Sequence, residues 1–272
     1  MSRGANKRLQ EIREEYVGNT GKKVLLVEGE DDADAYSELL NRKFSGWEDN
    51  WIVAHANGKQ KVIDILKLES TWLGLIDRDE WSEERISQEQ RHLANLLILP
   101  RFCLENYLIC PDELWEALPE NQKAKMTRGF PQFKTELLSD KDKWLRHGVL
   151  WTIINPLWEG ITELGFKYAL LEFNNAQDDD KIQEILLNWH NFFEPEKLFT
   201  QFKNRLSEVM AKDEVEQLKQ WIHGKKFYRE HVHQVLNRFL GQEDTEIRRT
   251  KILQTCPLPN DLDFVYQRMG LL

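Results

Sequence analysis

Cysteine is scarce. The 272 residues contain three, Cys103, Cys110 and Cys256, and no two of them form a CxxC pair. That excludes a disulfide framework and a zinc knuckle, and a reducing cytoplasm is the expected compartment. Long apolar runs are missing as well. Runs such as residues 24–27 and 96–99 fall far short of the roughly 20 residues a membrane span requires, so no membrane partner is expected. The opening stretch MSRGANKRLQEIREEY is charged and has no apolar h-region, so no secretory signal is expected. There is no Walker A glycine loop, no GxSxG elbow and no HExxH or Cys/His ligand spacing. An internal ATPase, a serine-hydrolase nucleophile and structural zinc are therefore not expected. Positive charge is in deficit: 37 Lys and Arg face 46 Asp and Glu, a net charge of −9. At face value this disfavours a nucleic-acid partner, whose phosphates reward bases.

What is present suffices for a core. Hydrophobic residues make up 41% of the chain, ten tryptophans among them, which excludes global disorder. The length accommodates one large domain or two ordinary ones. Within residues 1–110, short apolar runs alternate with amphipathic stretches. The runs at 24–27, 51–54, 72–76 and 96–99 read as strands, the first entered from the turn Asn19-Thr20-Gly21. Apolar spacing at Ala35, Leu39, Leu40 and Phe44 predicts a helix over 31–44. Val62, Ile63, Leu66 and Leu68 predict another over 59–69, opened by Asn57-Gly58, and a short helix over 8–16 precedes the sheet. Continuously apolar strands separated by helices imply a parallel sheet covered on both faces. From Pro111 onward the pattern is helical, over 111–118, 144–164, 178–192, 195–224 and 227–240. Pro119, Pro131, Pro156 and Pro195 punctuate it, and Asp178 or Asp179 is the expected N-cap of the third segment. The expected architecture is an α/β sheet flanked by helices over 1–110, with a largely α-helical half over 111–272 serving dimerisation, substrate or partner contacts.

Acidic residues fall where the strands stop. Glu28 follows the first strand in LLVEGEDD, Asp77 and Asp79 follow the third in GLIDRDE, and Glu105 lies a few residues past the fourth in LILPRFCLENYL. In an open parallel sheet the carboxyl ends of the strands share one edge, so these carboxylates would converge there. Converged carboxylates repel unless a cation sits among them. Mg2+ suits such a set, because it takes a few carboxylates, keeps waters and accepts phosphate oxygens. Singly, each acid also reads as an ordinary turn or cap residue, and Glu30, Asp31 and Asp32 suit the first turn of the following helix, although Glu30 or Asp32 could also join the metal set.

A strand ending in Glu-Gly, followed about fifty residues later by one ending in Asp-x-Asp, resembles the Toprim fold. That fold is shared by topoisomerases, bacterial-type primases and overcoming-lysogenization-defect (OLD) nucleases. LPRFCLENYL is similar to the third acidic segment of the nuclease branch, and the resemblance spans about residues 22–110. Within that branch the chain looks like the stand-alone Toprim nucleases with a helical C-terminal half, among them the effector of the PARIS anti-phage system. The resemblance implies a Toprim-like α/β core in which Glu28 is a metal ligand or general base. It implies that Asp77 and Asp79 bind Mg2+ and that Glu105 completes a second metal site, with one or two ions bound and Mn2+ able to substitute. It also implies a homodimer, a separate ABC-type ATPase partner, and cleavage of host tRNA on release from that partner. The OLD likeness alone would instead imply DNA nicking or cleavage, and a non-catalytic module docking on an ATPase is the third possibility. The absence of a Walker A loop departs from the fused OLD proteins and fits a separate partner.

The charge is uneven. Residues 24–40 carry six acids and no base, whereas 121–150 carry seven bases against three acids and 221–251 seven against four. A nuclease needs cations to position phosphate. Lys225 in HGKKFY is similar to a late Gly-Lys element of Toprim proteins and is the candidate phosphate contact. The competing reading makes Gly224 a helix C-cap with lysines on the dipole. His231 and His233, two apart on a predicted helix, face different ways and cannot share an ion. Trp144, Trp151, Trp158, Trp189 and Trp221 read as core and interface anchors rather than base-stacking platforms.

Overall fold

The computed structural model describes residues 3–164, 172 and 174–272. Four parallel strands, β1 (Lys23–Val27), β2 (Trp51–His55), β3 (Leu73–Ile76) and β4 (Leu96–Ile98), form a sheet in the order β2–β1–β3–β4. Helix α2 (Glu30–Lys43) carries the chain from β1 to β2, α3 (Lys59–Leu68) from β2 to β3, and α4 (Glu83–His92) from β3 to β4. The fold is α/β, a parallel sheet flanked by helices with a helical C-terminal half, as the apolar patterning implies.

Strand alternation sorts the side chains onto two faces. Leu25, Val27, Leu73, Leu75, Leu97 and Leu99 enter one apolar cluster; Val24, Leu26, Ile76, Leu96 and Ile98 enter the other. The second face is covered by α1 (Arg3–Ile12) and α3, whose Val62, Ile63, Ile65 and Leu66 are buried. Close approach there depends on Gly74 in β3. A Cβ at that position would stand 2.5 Å from Leu66 Cδ1 and 2.8 Å from Val62 Cγ1. On the first face, α2 and residues from the helical half share one continuous cluster that runs from Leu25 to Met269.

Helix α4 is absent from the periodicity-based expectation because EERISQEQRH carries one aliphatic residue. It is specified by its ends instead. Ser82 accepts a hydrogen bond from the Arg85 amide as N-cap, acids Glu83 and Glu84 open it, and Arg91 and His92 close it.

In the helical half, the helix Lys141–Glu163 runs through Pro156, and Asp178 caps Asp179–Phe192 by accepting from the Asp180 and Lys181 amides. The single helix expected over 195–224 is divided. Pro195–Met210 stops, a new N-cap at Asp213 opens Glu214–Glu216, a π turn Gln217–Trp221 follows, and Ile222 and His223 turn extended. Gly224 does not terminate a helix. It begins the one that runs through residues 224–240 with a π turn at Tyr228–Val232. Gly224 Cα lies against Asn106, where a Cβ would meet Oδ1 at 2.1 Å and the main-chain N at 2.9 Å. His231 and His233 face apart: His231 Nε2 lies 3.0 Å from the Leu137 carbonyl, and buried His233 pairs with Asn237. Trp158 is 70% exposed and so is no core residue. No helix among the described residues is long and apolar enough to cross a membrane.

Candidate active site

The strand order places the ends of β1 and β3 side by side, and main-chain hydrogen bonds lock the acids that follow them. Glu28 Oε1 accepts the Asp77 amide at 2.9 Å. Asp77 Oδ1 in turn accepts the Leu104 amide at 3.2 Å. Leu104 opens the short 3-10 turn Leu104–Tyr107 that holds Glu105. The Asp79 amide donates to the Phe102 carbonyl at 2.7 Å. Glu28, Asp77, Asp79 and Glu105 are thereby brought to one edge of the sheet, the sequence-derived set in full.

The segment after β4 is pinned by two buried polar residues. Arg101, 2% exposed, forks onto Glu113 at 2.6 and 2.8 Å, reaches Asp261 at 2.9 Å, and stacks 3.8 Å from the Tyr107 ring. Fully buried Asn106 donates to the Leu218 and Ile222 carbonyls at 2.7 and 3.0 Å and accepts the Cys103 amide at 3.1 Å. Buried polar groups satisfied this completely fix geometry. The turn bearing Glu105 is thus fastened to the segment that introduces His223, Gly224 and Lys225.

Three further charged residues join the acids. Asp32, in the first turn of α2, accepts the Gly29 amide at 2.9 Å as part of a capping arrangement, and its charge couples to those of Glu105, Arg249 and Lys225. Lys59, in the first turn of α3, reaches Asp79 Oδ2 at 2.5 Å and stands 3.9 Å from Glu28 Oε1. Arg249, 6% exposed, lies 3.6 Å from Glu105 Oε1, and its Nε and Nη2 make no hydrogen bond among the described residues. Arg42, which donates to the Leu253 and Cys256 carbonyls at 2.5 Å, ties α2 to the helix Thr245–Thr255 that carries Arg249.

Of these, Asp32 was legible as a cap and as a carboxylate that could join the metal set, and Arg249 only as part of a basic run. Lys59 had one signal. It opens a helix without an acid in its first turn, against the dipole's preference. Lys225, the candidate phosphate contact, sits in the first turn of its helix, near enough to Asp32 to lower that carboxyl's pKa. His223 beside it packs on Phe102 and Trp151 at 4.7–5.2 Å between ring centroids, and burial lowers its pKa against the pull of Asp79.

The electrostatics are those of crowded carboxylates. Burial raises the Glu28 carboxyl to about 7, partly offset by Lys59 and reinforced by Asp79. Asp77 is pushed well above the usual range by burial and then by Asp79, Asp32, Glu28 and Glu105. Asp32 is raised by burial despite the Gly29 amide. For Lys59, burial alone would lower the pKa, but Asp79 and Glu28 outweigh it and raise it. An uncommon backbone conformation marks the same place. Asp79 adopts φ 51° and Asn57 φ 64°, the left-handed region that side chains other than those of Asn and Asp rarely enter.

As the side chains lie, no three His, Cys, Asp or Glu residues among those described are grouped to hold a metal ion. The donor chemistry nonetheless fits a hard divalent cation: four carboxylates from strand ends and the adjoining turn, with an ammonium already drawn between Asp79 and Glu28. Glu28, Asp77, Asp79 and Glu105 are the residues that would ligate it. Beside Asp79 a cleft of about 600 Å³ opens, with Arg78, Trp81, Arg85, Arg205, Lys212 and Trp221 in its walls. No protein-family model matches the chain, and no curated protein matches it.

Proposed function

We propose that the chain is a Mg2+-dependent nuclease that hydrolyses phosphodiester bonds, with tRNA as substrate. In this proposal it acts as the effector of an anti-phage defence system, as a homodimer, and is held in check by a separate ABC-type ATPase. The observation that carries the chemistry is the convergence of Glu28, Asp77, Asp79 and Glu105 at one sheet edge, linked through the Asp77 and Leu104 amides. Substrate, partner and cellular role rest on the Toprim likeness of LLVEGEDD, GLIDRDE and LPRFCLENYL.

A divalent cation bound there would supply charge neutralisation, an activated water and a Lewis acid for the phosphate. The chain's own residues do the rest. Glu28 and Asp77 each spend one carboxylate oxygen on a main-chain amide, which fixes the direction of the other. Arg249 offsets the charge of Glu105 from behind. Lys225 would meet a phosphate oxygen, a role supported by its exposure in the first turn of its helix, where an ammonium and helix amides act together.

Glu28→Gln and Asp77→Asn should abolish Mg2+-dependent cleavage of total tRNA while the wild type cleaves it. Retained cleavage in either variant would refute the assignment. Cleavage of plasmid DNA and not tRNA would transfer the same site to an OLD-like DNA nuclease. A non-catalytic docking module is favoured by one observation, the Lys59–Asp79 ion pair, which neutralises an acid without any metal. Loss of neither toxicity nor partner binding in the two variants would favour it.

A further inference from the structure

Lys59 breaks two local rules at once. It places a cation at the N-terminus of α3, where the helix dipole repels it, and the first turn contains no acid. The turn that delivers it takes Asn57 to φ 64° and Gly58 to φ 123°, the second a conformation that glycine adopts freely. Such a local conflict is expected where a function compensates it. What compensates it here is the acid cluster. The ammonium lies 2.5 Å from Asp79 Oδ2 and 3.9 Å from Glu28 Oε1, and 4.9 Å from the centre of the buried Trp81 ring. Its side chain is 18% exposed, so both pairings are felt in a poorly solvated setting. Asp79 itself is held at φ 51° with its amide on the Phe102 carbonyl. Its carboxylate therefore faces Lys59 from a fixed backbone. On the other side of the cluster, buried Arg249 stands with its Nε 3.6 Å from Glu105 Oε1, an ion pair without a hydrogen bond among the described residues. The site thus contains its own cations.

We propose that Lys59 is a resident counter-ion of the acidic site. Its ammonium holds Asp79 and Glu28 together while no divalent cation is bound, and an incoming cation must displace it. This rests on the reading of Glu28, Asp77 and Asp79 as divalent-cation ligands. An ammonium and a divalent cation cannot share Asp79 Oδ2 without strong repulsion. The ion pair is therefore a cost deducted from metal affinity. It sets a threshold concentration below which the acids remain paired to Lys59. The ammonium already stands 4.9 Å from the centre of the Trp81 ring, so the released charge keeps a nearby aromatic surface.

The test is a titration with Mn2+ alone, followed by its paramagnetic resonance signal and by calorimetry, on the full chain. Wild type should bind Mn2+, Asp79→Asn should lose it, and Lys59→Met should bind about tenfold more tightly, the equivalent of ~1.4 kcal/mol. Lys59→Gln guards against a packing defect specific to Met and should shift in the same direction. In wild type, saturating Mn2+ should also raise the rate at which acetic anhydride modifies Lys59, read by mass spectrometry. Unchanged or weaker Mn2+ binding in both Lys59 variants, with wild type binding normally, would overturn the counter-ion role and leave the metal site standing. Failure of wild type to bind Mn2+ at millimolar concentration would overturn both. Unchanged Lys59 modification at saturating Mn2+ would show that the ammonium is not displaced.

Discussion

Glu28→Gln should make the folded chain more stable in alkaline solution, although it removes a residue at the centre of the site. Below about pH 4.5 the Glu28 carboxyl is protonated in both folded and unfolded chains, and the charge contributes nothing. Burial raises the folded-state value from 4.5 to about 7. As pH rises from 4.5 to 7 the unfolded chain releases its proton while the folded chain keeps it, so stability falls across that window. Above pH 7 the loss is complete. At about 1.36 kcal/mol per pH unit the deficit is on the order of 3 kcal/mol, a large share of the roughly 5–15 kcal/mol that holds most domains folded. Glutamine retains an oxygen for the Asp77 amide, which Glu28 Oε1 accepts at 2.9 Å, so the main-chain link survives. Lys59 at 3.9 Å already contributes to the value of about 7 and adds no separate loss. Urea unfolding of wild type and variant in EDTA would measure the difference. A gain of about 2–3 kcal/mol at pH 8, shrinking toward zero near pH 4.5, is the expected result. A variant less stable than wild type at pH 8 would refute the reasoning, because it would show that Lys59 already repays the buried charge.

Gly224→Ala should cost at least about 2 kcal/mol in urea unfolding. The added Cβ would lie 2.1 Å from Asn106 Oδ1 and 2.9 Å from the Asn106 amide nitrogen. Loss of tRNA cleavage should accompany it, since the same contact places Lys225; an unchanged unfolding midpoint would contradict the close approach. Arg249→Met should cost on the order of 3 kcal/mol by leaving Glu105 buried without its counter-charge. Glu105→Gln combined with it should recover part of that, and a double-mutant cycle with no coupling would refute the pairing seen at 3.6 Å.

The acids after the strands were legible because their signal is local. A strand that runs apolar to its last residue and then turns acidic is visible in LLVEGEDD and GLIDRDE, and parallel pairing brings such ends together. The strands and the helices α2 and α3 were legible for the same reason, since burial imposes a period on residues near in sequence. Helix α4 was not, because its information lies in the Ser82 cap and end charges rather than in an apolar stripe. The C-cap reading of Gly224 arises because a glycine after a helical run resembles one, whereas this glycine opens a helix. Its cause is instead the Asn106 side chain, 118 residues earlier, which needs the space.

By itself, then, the sequence determined the α/β core, its parallel strands and the four acids Glu28, Asp77, Asp79 and Glu105, all of them set by patterns a few residues long. The tertiary structure alone decided which cations meet those acids. Lys59 arrives across 20 residues to Asp79 and Arg249 across 144 to Glu105. The reason is electrostatic. A buried carboxylate must find a counter-charge in space, and the chain supplies it from whichever helix the fold brings alongside.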